Sequence, residues 1–91
     1  MSGKRNRMEI IYDILEIVRS HNNSIRPTPL LRFSNMSSQR FAEYYNELLD
    51  KAFLREEFDQ KGRKFVTLTD KGFNFLRKYR SIIGFLEEFG L

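Results

Sequence analysis

The chain has 91 residues, of which 41% are apolar and 31% charged, with no cysteine and a formal net charge of +4. Such a composition describes one small globular domain. It excludes disulfides, thiolate metal sites and an apolar run of the roughly 18 residues that a membrane span requires.

Residues 1–7 lack the apolar region of a signal peptide, so a cytoplasmic location is expected. The charge is strongly partitioned along the chain. Residues 1–7 carry +3, residues 43–59 carry −4 and residues 60–80 carry +6. A polyanion responds to local fields within about 8–10 Å, so the partition says more than the total.

Residues 1–6 read as a short basic tail, with Lys4, Arg5 and Arg7 placed to act as a flexible arm; the domain proper is expected over residues 7–91. A first helix over Arg7–Ser20 buries Ile11, Ile14, Leu15 and Val18, widened by Ile10 and Ile17. Glu9, Asp13 and Glu16 form an acidic ridge on another face. His21-Asn22-Asn23-Ser24 then breaks the pattern with cap and turn formers. No partner cluster accompanies His21, which reads as a solvated loop residue rather than a ligand or base. Residues 24–26 leave room for only a very short strand, because Pro27 cannot extend a ladder. Pro27 and Pro29 suit the first turn of a second short helix, running to about Phe33.

The stretch over residues 35–54 organises the rest. Phe41, Tyr44, Tyr45, Leu48, Leu49 and Ala52 fall on one helix face. Ser37 is a good N-cap, and Met36 and Phe41 occupy the two positions of a hydrophobic staple. The first turn then presents Ser38, Gln39 and Arg40, which have no core duty. After Leu54 the period changes to two. Leu54, Glu56 and Phe58 alternate with Arg55, Glu57 and Asp59, residues 59–62 turn, and residues 63–68 return. This ribbon is tipped with Lys61, Arg63 and Lys64, and Gly62 is free to take the positive φ of a hairpin loop.

Thr69 caps a final helix over residues 69–90, with Asp70 at its positive end. Phe73, Leu76 and Ile83 fit one stripe. Phe75, Tyr79, Ile82, Leu86 and Phe89, spaced 4, 3, 4 and 3, make a heptad seam. So small a chain has little core to cover both stripes. The second is therefore expected to meet a second copy as the dimer interface.

The order helix, helix, helix, hairpin, helix is that of a winged helix-turn-helix: mainly α with a small β-hairpin wing, plus a C-terminal dimerisation helix. In that frame the third helix would enter a DNA major groove through Ser37, Ser38, Gln39 and Arg40. Gln39 and Arg40 are the candidates for bidentate contacts to adenine and guanine. Lys61, Arg63 and Lys64 would lie on phosphates, joined by Lys4, Arg5 and Arg7 of the arm. The alternative is a winged helix used for protein contacts, which the acidic residues 43–59 and the aromatic last helix permit. No P-loop, dinucleotide glycine pattern or metal-ligand spacing occurs, and no histidine stands beside a nucleophile, so neither catalysis nor a cofactor nor a small-molecule ligand is expected. The adjacent pairs Glu56-Glu57 and Glu87-Glu88 diverge in a strand or helix and read as solvated surface.

Two segments carry a resemblance. Asn35-Met36-Ser37, followed by Tyr44-Tyr45, Leu48-Leu49 and Lys51-Ala52-Phe53-Leu54, is one; Leu68-Thr69-Asp70-Lys71-Gly72, followed by Phe75-Leu76, is the other. With the opening Glu9-Ile10-Ile11-Tyr12-Asp13-Ile14-Leu15, they are similar to small archaeal winged-helix DNA-binding proteins. That family includes ten-kilodalton chromatin-associated dimers and related transcriptional regulators. The resemblance implies double-stranded DNA binding, a nucleoid-associated location and dimerisation through the last helix. The family usually has glycine where Ala52 stands. A left-handed alanine is sterically costly, so the reading helix is expected to end differently here. An aromatic often follows the capping serine, where this chain has Ser38. The last helix looks short for an extended coiled coil, and a compact dimer is expected.

Overall fold

The computed structural model describes residues 5–91. Its elements are α1 (Arg7–Ser20), α2 (Pro27–Ser34), α3 (Ser38–Asp50), β1 (Leu54–Phe58), β2 (Lys64–Leu68) and α4 (Asp70–Glu88). The expected order and boundaries hold to within a residue or two. Helix α1 starts at a capping box: the Asn6 side chain accepts from the Glu9 amide at 2.8 Å, and the Asn6 amide donates to the Glu9 carboxylate at 2.9 Å. Its apolar face buries Ile10, Ile11, Ile14, Leu15 and Val18 against Ile25, Leu30, Phe41, Leu48, Leu54, Val66, Leu68 and Leu76. Every element thus contributes to one core.

β1 and β2 pair antiparallel from Leu54 with Leu68 to Phe58 with Lys64. Ile25 bonds to Val66 in both directions, at 3.2 and 2.7 Å, and supplies the short strand expected before Pro27. Asn23, itself at φ 56°, accepts the Leu68 amide on its side chain at 2.7 Å. Asn35 ends α2 in the left-handed region that asparagine tolerates, and so aims α3.

Contrary to expectation, α3 does end in the left-handed manner. Ala52 has φ 62°, its amide donates to the Leu49 carbonyl at 3.0 Å, and the Phe53 amide reaches the Leu48 carbonyl at 2.9 Å. That is the paired bonding of a Schellman cap, and it outweighs the steric cost of the alanine Cβ. Ala52→Gly should relieve that cost and stabilise the fold by about 1 kcal/mol. A thermal melt should then rise by about 4–8 °C; no rise would mean that the cap carries no strain.

The heptad seam is divided. Tyr79 stacks on Tyr12 of α1 at 4.6 Å between ring centroids, and Phe75 meets Phe53 edge-on at 5.6 Å. Phe75 and Tyr79 are therefore half-buried within their own chain. Beyond them α4 runs on uncovered. Ile82, Ile83, Phe85 and Phe89 are exposed, and Leu86 is half-buried. The molecule measures 50 × 27 × 21 Å.

Candidate nucleic-acid interface

Ser37 caps α3, its side chain accepting from the Arg40 amide at 3.2 Å. Met36 packs on the core and Phe41 is buried, as the staple requires. Ser38, Gln39 and Arg40 are exposed together on the first turn. At 100° per residue, Gln39, Glu43 and Asn46 run down the face opposite Phe41 and Leu48. Arg40 stands to one side of that stripe, its guanidinium 6.0 Å from the Tyr44 ring centroid.

Arg7 lies 6.0 Å from the centroid of the same ring and forms an ion pair with Glu47. Glu47 also accepts from Lys51 at 2.9 Å. Hydrogen bonds from Arg7 and then Lys51 hold the Glu47 carboxyl down at about 2, below the usual carboxylate range. Arg7 and Arg40 thus flank the Tyr44 ring beside α3, in a cleft that Glu43 and Glu47 also line. Lys4 lies outside the described residues. Arg5 does not form a free arm: its guanidinium donates to Asp13 at 2.8 Å and to the Ser34 carbonyl at the end of α2 at 3.0 Å. Arginine is favoured there because it satisfies both a carboxylate and a helix C-terminal carbonyl.

The acidic ridge is not bare either. Asp13 faces Arg5, Glu9 closes the capping box, and Glu16 pairs with Arg19 and, at 2.6 Å, with Arg80 of α4. His21 is exposed at the end of α1, its Nδ1 2.8 Å from the Ile17 carbonyl oxygen and its ring against Phe33.

The wing loop over residues 59–63 is built around Asp59. Its carboxylate accepts the amides of Lys61 and Arg63, each at 2.9 Å, and the Arg63 guanidinium at 2.8 Å. These donors, the Arg63 amide foremost, lower the Asp59 pKa. Gly62 takes φ 78° as the turn requires. Arg63 is thus tied back and Lys64 leans 3.5 Å from Glu56, whereas Lys61 forms no ion pair among the described residues.

Glu56 is more than solvated surface. It is half-buried and accepts the Tyr45 hydroxyl at 2.5 Å, joining the wing to α3. Burial and that bond raise the Tyr45 pKa, so the phenol keeps its proton. Glu56 shares the strand phase of Leu54, which was the available signal that it points inward.

A capped helix with an exposed polar first turn is thus held by a turn behind α2 and joined to a cationic hairpin. Residues 4–87 match the family described as winged helix-turn-helix. The chain belongs to that family. Among solved structures this winged helix is similar to Sso10a-2, a DNA-binding protein from Sulfolobus solfataricus. Identity is 22% and the TM-score 0.72, over 93% of this chain and 85% of that one. It is similar also to a winged-helix DNA-binding protein from STIV, with 22% identity and a TM-score of 0.73 over 88% of this chain and 91% of that one. A MarR-family transcriptional regulator from Silicibacter pomeroyi matches at 19% identity and a TM-score of 0.63. That match covers 76% of this winged helix and 47% of the regulator. No match was found among curated proteins.

Proposed function

We propose that this winged helix binds double-stranded DNA as a homodimer, in a regulatory or chromatin-associated role. The first turn of α3 enters the major groove and the wing crosses the backbone. The observation that carries the reading is the exposed, polar first turn of α3, capped by Ser37 and free of core duty, between the cations of the wing and those of the Arg7–Arg40 flank. Those residue types suit phosphate oxygens and base edges. The DNA-binding descriptions of two structural neighbours support it.

Within this reading Ser37, Ser38 and Gln39 meet the groove at the N-terminal end of α3. Arg40 and Arg7 lie on one strand's phosphates, and Lys61, with Arg63 and Lys64, on another's. Arg5 serves the fold instead, by holding α1 to α2. The exposed distal part of α4, with Ile82, Leu86 and Phe89, joins the two copies. No helix among the described residues is long and apolar enough to cross a membrane.

The test is a titration with nonspecific duplex at two salt concentrations. Binding should weaken steeply with salt, because neutralised phosphates release counterions. Changing Lys61, Arg63 and Lys64 to glutamine should weaken binding to every duplex. It should also flatten the slope by about 0.9 units for each phosphate that is no longer neutralised. An unchanged slope would remove the wing from the interface. A wild type without any salt-dependent duplex binding would leave the protein-contact function instead.

A further inference from the structure

The outward stripe of α3 carries a carboxylate, Glu43, that lines one cleft with Arg7 and Arg40 but pairs with neither. Glu43 follows Gln39 by one turn and precedes Asn46 by three residues, all three exposed. The next acid along the helix, Glu47, is held between Arg7 and Lys51. Glu43 forms no ion pair among the described residues. Its neighbour Arg40 is drawn over the Tyr44 ring instead. A free carboxylate brought against a polyanion is repelled unless it accepts a hydrogen bond there.

Major-groove edges offer few such donors. Cytosine presents its N4 amino group and adenine its N6 amino group, whereas thymine O4 and guanine N7 and O6 are acceptors only. A carboxylate, which only accepts, repels the second set. Gln39 and Asn46 both favour the N6 and N7 edge of adenine. The rise from Gln39 to Asn46 is about 10 Å, enough for about three base-pair steps.

Resting on the DNA-binding reading above, we propose that Glu43 is the specificity-determining residue of this helix. It accepts from a cytosine N4 amino group and excludes guanine and thymine from that position of the read strand. Gln39 and Asn46 set adenine preferences on either side.

The experiment is selection of bound sequences from a pool of randomised duplexes by the full chain, in parallel with Glu43→Gln and Glu43→Ala. Both substitutions are on the surface and should leave the melting curve and helical content unchanged. Wild type should enrich cytosine at one position of each half-site, by about fivefold to a hundredfold over guanine and thymine. The two variants should lose that enrichment, keep the flanking adenines, and bind nonspecific duplex as tightly as wild type or more so. If the variants select the same base as wild type, or if wild type selects none, the role of Glu43 is overturned while DNA binding stands. A wild type that retains no duplex from the pool at low salt overturns the DNA reading, and the role of Glu43 with it.

Discussion

Replacing Gly72 with alanine should lower the stability of the fold by about 3 kcal/mol, the upper range for forcing atoms into packed space. Gly72 is buried in the first turn of α4, at the point where that helix passes the junction between α3 and β1. A Cβ built there falls well inside contact distance of the Phe53 carbonyl oxygen, and 3.2 Å from a Leu68 methyl. The oxygen cannot readily retreat, because it accepts the Thr69 amide at 3.2 Å. The Thr69 hydroxyl in turn donates to the Ala52 carbonyl at 2.5 Å and accepts the Gly72 amide at 3.1 Å. Lys71 adds a bond to the Lys51 carbonyl at 2.7 Å and lies 4.7 Å from the Phe53 ring centroid. The segment Thr69-Asp70-Lys71-Gly72 is therefore the clasp that closes α4 over the end of α3. A melt followed by circular dichroism should fall by about 12–24 °C. A melt matching wild type would mean that the clasp yields, and that the wing and α3 are not held in fixed relation.

The same clasp shows what a sequence does and does not reveal. Ser37 and Thr69 are legible as caps because capping chemistry lies within three residues of the helix it starts. The buried stripes of α1 and α3 are legible because periodicity follows from helical geometry alone. Partners distant along the chain leave no such trace. Arg5 reads as part of a basic tail until Asp13 and the Ser34 carbonyl are brought to it in space. A seam spaced 4, 3, 4 and 3 marks an apolar face without saying what covers it. Tyr12 and Phe53, from α1 and the α3–β1 junction, take the half that contains Tyr79 and Phe75. Ala52 is misleading for a different reason. Its local preference opposes the left-handed conformation, but two backbone bonds and the clasp impose it. At the candidate interface, residue types are legible and their direction is only partly so. Arg40 shares the first turn with Gln39 but stands over Tyr44 rather than along the outward stripe.

Light scattering should report twice the 10.9 kDa chain mass for the wild type, and a single chain mass when Ile82 and Phe89 are both changed to glutamate. In one chain these side chains are 55% and 63% exposed, so their replacement removes little core and should leave the fold intact. Phe85 packs at a tilt against Phe89, ring centroids 5.0 Å apart, and is itself exposed, which extends the uncovered apolar surface along the end of α4. An uncovered apolar surface of this kind suits association with a second copy. Two copies joined there would present two α3 helices to half-sites about one helical turn apart, some 34–36 Å. The second half-site is then bound from within the complex, at an effective concentration that a free chain does not have. Loss of the dimer should accordingly weaken binding to a paired site by about 10²–10⁴-fold. Binding to an isolated half-site should change little, and the melting curve should keep its helical amplitude. A wild type that scatters as one chain at high micromolar concentration excludes the distal α4 interface. A double variant that remains dimeric moves the interface elsewhere on the molecule.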